Sequence, residues 1–200
     1  MLRDRLITAG VIIVLLVPPV LFGGTGAVAI LVAILGGLAL WELARALPGL
    51  QTLALTGLTV ALGLLIVAAF LAFTSDALMA VIVGFPLIVL VLHLVLFNHI
   101  ENTLQSAPQM IFALAYVIVP LGHAILLRRL DMGVEWILFV LLVICLGDAG
   151  AYFAGKYYGS HRFSTSVSPS KTIEGLVGGV AGNLLAVKKR EATSLSTGKC

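Results

Sequence analysis

Between Leu6 and Leu127 the chain carries four charged residues, Glu42, Arg45, Asp76 and Glu101. The stretches that separate them are longer and more apolar than a soluble core uses, and a membrane-crossing helix needs about 20 apolar residues. Within a bilayer every backbone polar group must find its partner inside the protein, so such stretches must be helical. Composition agrees. The chain is 60% hydrophobic and 10% charged, where a soluble domain is about 25% charged. Its mean hydropathy is +1.16. The expected fold class is all-α, a polytopic transmembrane helix bundle of about six to seven helices.

Seven apolar segments can be placed. They are about Leu6–Phe22, bent or ended near Pro18-Pro19; Ala27–Leu43, after a glycine-rich turn; Leu53–Phe73; Ala77–Phe97, with Pro86 as a kink; Met110–Leu127; Trp136–Tyr158; and a short, glycine-rich Ile173–Val187. Arg3 and Arg5 precede the first segment as they would in a signal peptide. No small-residue cleavage site and polar mature chain follow, so it is read as a first membrane segment. The organisation expected is one membrane-embedded domain over residues 1–187 and a polar, disordered tail over 188–200, beginning at Lys188-Lys189-Arg190-Glu191. That change of character near Val187 is also what a truncation or an altered reading frame would produce. Cys145 and Cys200 have neither disulfide nor zinc spacing.

Lysine and arginine set the orientation. With the N-terminus in the cytoplasm, Arg3, Arg5, Arg45, Lys156, Arg162 and Lys171 fall inside, and Arg128 and Arg129 fall outside. The Arg128-Arg129 pair argues the other way. On the majority, the Gly159–Lys171 loop is cytoplasmic. Trp41 and Trp136 then sit near the two interfaces.

Asp148 is the outstanding polar residue. An unpaired charge at mid-bilayer costs about 2.5–3.5 kcal/mol even on the mild insertion scale, so it must face protein, water or a cation. Tyr152 and Lys156 follow at i+4 and i+8 and share its helical face. Gly147, Gly150, Ala151, Ala154 and Gly155 around it permit close helix approach. The bland alternative is a structural aspartate paired across to another helix. In Ser168-Pro169-Ser170-Lys171, Ser168 can cap a helix and Pro169 suits its first position. A helix start with free N–H groups beside a lysine favours phosphate, although Lys171 can equally be a positive-inside anchor. Glu42 and Arg45 read as an interfacial pair. His93 and His123 lack metal-ligand spacing and read as hydrogen-bonded packing residues. His161 and Arg162 belong to a basic loop suited to phosphate or lipid headgroups.

Two runs carry a resemblance. Leu146-Gly-Asp-Ala-Gly-Ala-Tyr-Phe-Ala-Gly-Lys-Tyr-Tyr-Gly-Ser-His-Arg-Phe, followed by Val167-Ser-Pro-Ser-Lys-Thr-Ile-Glu-Gly-Leu-Val-Gly-Gly, resembles the bacterial phosphatidate cytidylyltransferase (CDP-diacylglycerol synthase) family. Arg3–Arg5, Pro18-Pro19 and Trp41-Glu42 extend the likeness to the N-terminus. The Ser-Pro-x-Lys-Thr-x-Glu-Gly run is its most specific part. The resemblance implies a nucleotidyltransferase of phospholipid biosynthesis that joins CTP and phosphatidate into CDP-diacylglycerol and pyrophosphate. It implies magnesium, with other divalent or monovalent cations as alternatives. It places the protein as a multi-pass protein of the bacterial inner membrane.

On this reading Asp148 and Lys171 are catalytic, with Asp148 also the metal residue, and Ser168, Lys156, Arg162, Thr172 and Glu174 bind substrate. Glu174, three residues past Lys171, can instead pair with that lysine. Partners are CTP, phosphatidate and membrane lipids, with no nucleic acid; a homodimer stays open. Ala149 stands where the family commonly has serine. The family's C-terminal signature, a Lys-Asp pair followed by His-Gly-Gly and Asp-Arg-x-Asp, does not occur in these 200 residues. The chain as given is therefore expected to be C-terminally truncated and inactive alone. Two rivals remain, a non-catalytic membrane fragment and a transporter or lipid-binding protein that uses Asp148 as an ion site.

Overall fold

In a computed structural model of the protein, the described residues are 14–73, 75–97, 100–164 and 168–197. Arg3, Arg5, the start of the first apolar segment and residues 198–200 lie outside them. The chain divides into two compact units, Met1–Val134 and Glu135–Cys200.

The first unit is built of helices joined by short loops. α1 covers residues 14–22 and runs through Pro18-Pro19 rather than ending there. The break falls at Gly23 and Gly24, where Gly24 takes φ +65°, a conformation that costs glycine little. α2 (Gly24–Ala46), α3 (Leu53–Ala72), α4 (Ser75–Phe97), α5 (Ile100–Ala113) and α6 (Val119–Arg129) follow. A π-helical turn, Leu114–Ile118, joins α5 to α6. Pro120 lies just beyond it, and a proline has no N–H to continue the i→i−4 ladder, so a widened turn is the local solution. Ile118, fully buried, lies against Gly36 of α2 and Gly63 of α3, where added methyls would collide with it or crowd it. Small residues here do what they do between membrane helices generally, bringing backbones close.

Polar side chains in this unit serve the backbone. Gln109 accepts the Gly49 N–H at 2.8 Å, which fixes the α2–α3 loop. His93 is buried and donates from Nδ1 to Val89 O at 3.0 Å. His123 donates to Val119 O at 2.6 Å and meets the Phe70 ring edge-on. Both histidines are thus packing residues with a hydrogen bond, as expected. Arg129 donates to Phe73 O at 3.1 Å and to Leu71 O, closing the C-terminus of α3. That gives half of the topologically awkward Arg128-Arg129 pair a structural task, since a cation is favourable at a helix C-terminus. Arg129→Ala should cost about 1 kcal/mol, below the usual about 1.5–3 kcal/mol for a charged donor because the contact is exposed. Reversible unfolding in mixed micelles would measure it; an unchanged midpoint would show the contact to be idle.

The second unit is a helical hairpin with a small β-ribbon. It consists of α7 (Gly133–Tyr158), β1 (Arg162–Ser164), β2 (Ser168–Thr172) and α8 (Ile173–Thr197). α8 continues through Lys188-Lys189-Arg190-Glu191 to Thr197, where composition predicted an irregular tail. Lys188 to Ala192 are good helix formers, and a helix already nucleated propagates through them into the Ser- and Thr-containing turn beyond.

Five helices among the described residues are long and apolar enough to cross a membrane: Gly24–Ala46, Leu53–Ala72, Ala77–Leu96, Thr103–Arg129 and Gly133–Tyr158. The expected all-α, multi-pass architecture holds, and the β-ribbon is a local addition to it.

Candidate functional site

The site is built on the meeting of α7 and α8. Gly147, Gly150, Ala151 and Ala154 on α7 oppose Gly175, Gly178, Gly179 and Gly182 on α8. A methyl on Gly178 would meet Gly150 O at 2.6 Å and the Ala154 methyl, and one on Gly179 would lie 3.3 Å from both Gly147 O and the Ala151 methyl. The backbones nearly touch, close enough for Cα–H···O contacts along the seam.

One cleft opens along this seam, with a volume of about 380 Å³. Its walls are mainly apolar, among them Val143, Ile144, Leu176 and Val180, and Asp148 and Asn183 face it together. Asn183 lays its amide against Gly147, so tightly that a methyl there would collide with it. Asn183 was missed in the sequence. The signal was present, since it is the only hydrogen-bonding side chain between Leu176 and Val187.

Two turns further along α7, the same face turns basic and aromatic. Lys156 Nζ lies 5.7 Å from the Tyr152 ring centroid and 5.8 Å from that of Tyr157. Phe153 stacks on Tyr157 at 6.3 Å. Amphipathic rings of this kind gather at membrane–water interfaces. Asp148 is eight residues from Lys156, which is about 12 Å along the axis at 1.5 Å per residue.

The β-ribbon follows the end of α7. β1 and β2 are antiparallel, with Arg162 opposite Thr172 and Ser164 opposite Ser168. This corrects the expected helix start. Ser168 and Pro169 are strand residues, and Thr172 is the cap, its Oγ1 accepting the Gly175 N–H at 3.2 Å. The cap moved because the segment before it pairs with β1, a non-local interaction that local spacing does not report. The helix start is also less open to an anion than expected. Ile173 N–H donates to His161 O at 2.9 Å, and Gly175 N–H is held by Thr172. Lys171 and Arg162, both exposed, are left as the cations next to this terminus.

Glu174 was expected to bind substrate or pair with Lys171. Its carboxylate accepts from His161, from Nδ1 at 2.7 Å and from the backbone N–H at 3.2 and 3.3 Å. The side-chain hydrogen bond from His161, then Glu174's own backbone N–H, hold its pKa at about 2 against an ordinary 4.5. A depressed carboxylate stabilises the folded state above its unfolded pKa, and that contribution is lost as pH falls through the folded value. The contact should therefore hold at neutral pH and weaken only between about 4.5 and 2.

Among the described residues no three His, Cys, Asp or Glu side chains converge on a metal position. Asp148 offers a single carboxylate into a cleft shared with one amide oxygen. That does not make a closed metal cage, but it suits magnesium, which binds through one or two carboxylates and takes its remaining oxygens from phosphate and water.

The match to the cytidylyltransferase family covers residues 3–188, nearly the whole chain. The chain belongs to the cytidylyltransferase family. Among curated proteins, the phosphatidate cytidylyltransferase of Bacillus subtilis strain 168 is 31% identical over 159 residues, which is 76% of this chain and 57% of that protein. The phosphatidate cytidylyltransferase of Staphylococcus saprophyticus is 39% identical over 75 residues, 38% of this chain and 28% of that protein. That of Staphylococcus aureus strain COL is 36% identical over 75 residues. The chain thus spans at most 57% of the length of these relatives. Family membership accords with the multi-pass helical architecture and with the resemblance read from the two runs around Asp148 and Lys171.

Proposed function

We propose that this chain carries part or all of a site that transfers a cytidylyl group from CTP to phosphatidate, giving CDP-diacylglycerol and pyrophosphate. The observation that carries the reading is the 159-residue match to the Bacillus subtilis phosphatidate cytidylyltransferase. The geometry supports it. An intramembrane cleft with one carboxylate lies next to an interfacial aromatic belt, and a β-ribbon with two exposed cations follows.

In this reaction an oxygen of the lipid phosphate attacks the α-phosphorus of CTP. The bond from that phosphorus to the bridging oxygen breaks, and pyrophosphate leaves with the electron pair. The nucleophile is already anionic near neutral pH, so no general base is required. The difficulty is to bring two polyanions together, and positioning with electrostatic cancellation supplies most of such catalysis. Lys171 and Arg162 would hold phosphate oxygens, with Ser168 and Thr172 lining the same ribbon. Lys156, among interfacial tyrosines, would draw the lipid headgroup or CTP to the membrane surface. Magnesium, held by Asp148 with phosphate and water, would supply further charge neutralisation. CTP is cytoplasmic, so the ribbon faces the cytoplasm of a bacterial inner membrane.

Topology has its own test. In a Cys145→Ser, Cys200→Ser background, Ser160→Cys should resist an impermeant thiol reagent added to intact cells and react once the membrane is opened. Ready labelling from outside would put the ribbon on the wrong face. For the reaction, the protein expressed from its complete open reading frame should turn over CTP only when phosphatidate is supplied. Turnover unaffected by phosphatidate would contradict the acceptor, and cation flux through liposomes without turnover would favour an ion-transport role for Asp148.

A further inference from the structure

Three hydrogen bonds tie the segment after α7 to the start of α8, and a fourth caps that helix. Ile173 N–H donates to His161 O, the His161 N–H and Nδ1 both donate to the Glu174 carboxylate, and Thr172 caps Gly175. Arg162, next in sequence to His161, is the register partner of Thr172, and Lys171 precedes Thr172. Each of the two exposed cations is thus one residue from this cluster of bonds. The glycines around it leave no slack, since a methyl on Gly159 would lie 2.9 Å from Thr172 Cγ2 and one on Gly155 3.2 Å from Thr172 Oγ1.

The carboxylate itself is poorly suited to meeting a triphosphate. It is anionic at neutral pH, and its oxygens are already turned to His161. The His161 side chain is 77% exposed and the Glu174 side chain 25%, so the contact lies at the surface of the unit.

We infer that Glu174 is a positioning residue: with His161 it fastens the strand carrying Arg162 to the start of α8, holding Arg162 in place for phosphate, and does not itself touch substrate. This rests on the cytidylyl-transfer reading. The two partners are thirteen residues apart, and the geometry makes them one device. What matters in His161 is a donor at the Nδ1 position, which an asparagine amide can replace and a phenylalanine cannot. What matters in Glu174 is an acceptor, which glutamine keeps in part.

The experiment uses the protein expressed from its complete open reading frame, in detergent. It measures hydrogen exchange over residues 159–164 without substrate, and KM and kcat for CTP with phosphatidate. Glu174→Ala and His161→Phe should both speed exchange in that segment and raise KM for CTP by about tenfold or more, with a smaller change in kcat, the pattern of lost substrate binding rather than lost transition-state contact. His161→Asn should restore both readouts to near wild type, and Glu174→Gln should fall between wild type and Glu174→Ala. Unchanged exchange in Glu174→Ala would overturn the fastening. Faster exchange with unchanged kinetics would overturn the positioning role. A Glu174→Gln variant as impaired as Glu174→Ala, or His161→Asn as impaired as His161→Phe, would point to direct contact with substrate or cation instead. An inactive wild type would sink the cytidylyl-transfer reading and this inference with it. An active wild type matched by Glu174→Ala would sink the inference alone.

Discussion

Lys171→Ala and Asp148→Asn, each made in the protein expressed from its complete open reading frame, should lower cytidylyl transfer by about a hundredfold while leaving membrane insertion intact. That is the usual scale for removing one group from a preorganised electrostatic site. Lys171 is exposed on β2, immediately before the capping threonine and beside the Arg162 register pair. With the helix N–H groups at Ile173 and Gly175 already bonded within the protein, side-chain cations must supply the attraction for phosphate. Asp148 faces the cleft along the α7–α8 seam, and an aspartate within a membrane helix is costly unless it has a task. The check is label transfer from CTP to lipid, normalised to protein in the membrane. Near-normal transfer by Lys171→Ala would return Lys171 to the role of a positive-inside anchor, and by Asp148→Asn would make Asp148 a structural residue.

The second large effect lies in the seam. Gly178→Leu should lower the stability of the α7–α8 pair by about 1–3 kcal/mol or more, the range for overpacking a filled interior. Even the first carbon of a side chain would meet Gly150 O at 2.6 Å, and backbone cannot swing aside as a side chain can. Gly84 in α4 is the control, because a methyl there meets nothing within 4 Å. Thermal unfolding in detergent should show a clear fall for Gly178→Leu and little change for Gly84→Leu. Equal melting of the two would mean that the helices do not approach as described.

Much of the fold was legible because lipid simplifies the code. Few charges over long apolar runs leave helices as the main option, so α2, α3, α4 and α7 appear within a few residues of where the apolar pattern puts them. The shared face of Asp148, Tyr152 and Lys156 follows from helical spacing alone, and the glycines flanking Asp148 announced a close neighbour. The misses are non-local or concern details of backbone. Ser168 and Pro169 look like a helix start by every local rule, and only pairing with Arg162–Ser164 moves the cap to Thr172. Glu174 and His161 are separated by a ribbon that no periodicity reveals. The break before α2 falls in the glycine-rich turn where the sequence puts it, at Gly23 and Gly24, and Pro18-Pro19 does not end α1. The segment from Lys188 was read as disordered from its polarity, yet polarity on a good helix former is no obstacle to a helix that has already begun.

The most direct measurement follows the phosphorus atoms. The protein expressed from its complete open reading frame, purified in detergent, is given phosphatidate, magnesium and CTP labelled at either the α or the γ phosphorus. Attack at the α-phosphorus predicts that the α label moves into the organic phase as CDP-diacylglycerol. The γ label should stay in water as pyrophosphate, and both changes should be lost on chelation. Label entering lipid from the γ position, or none entering from the α position, would contradict the account.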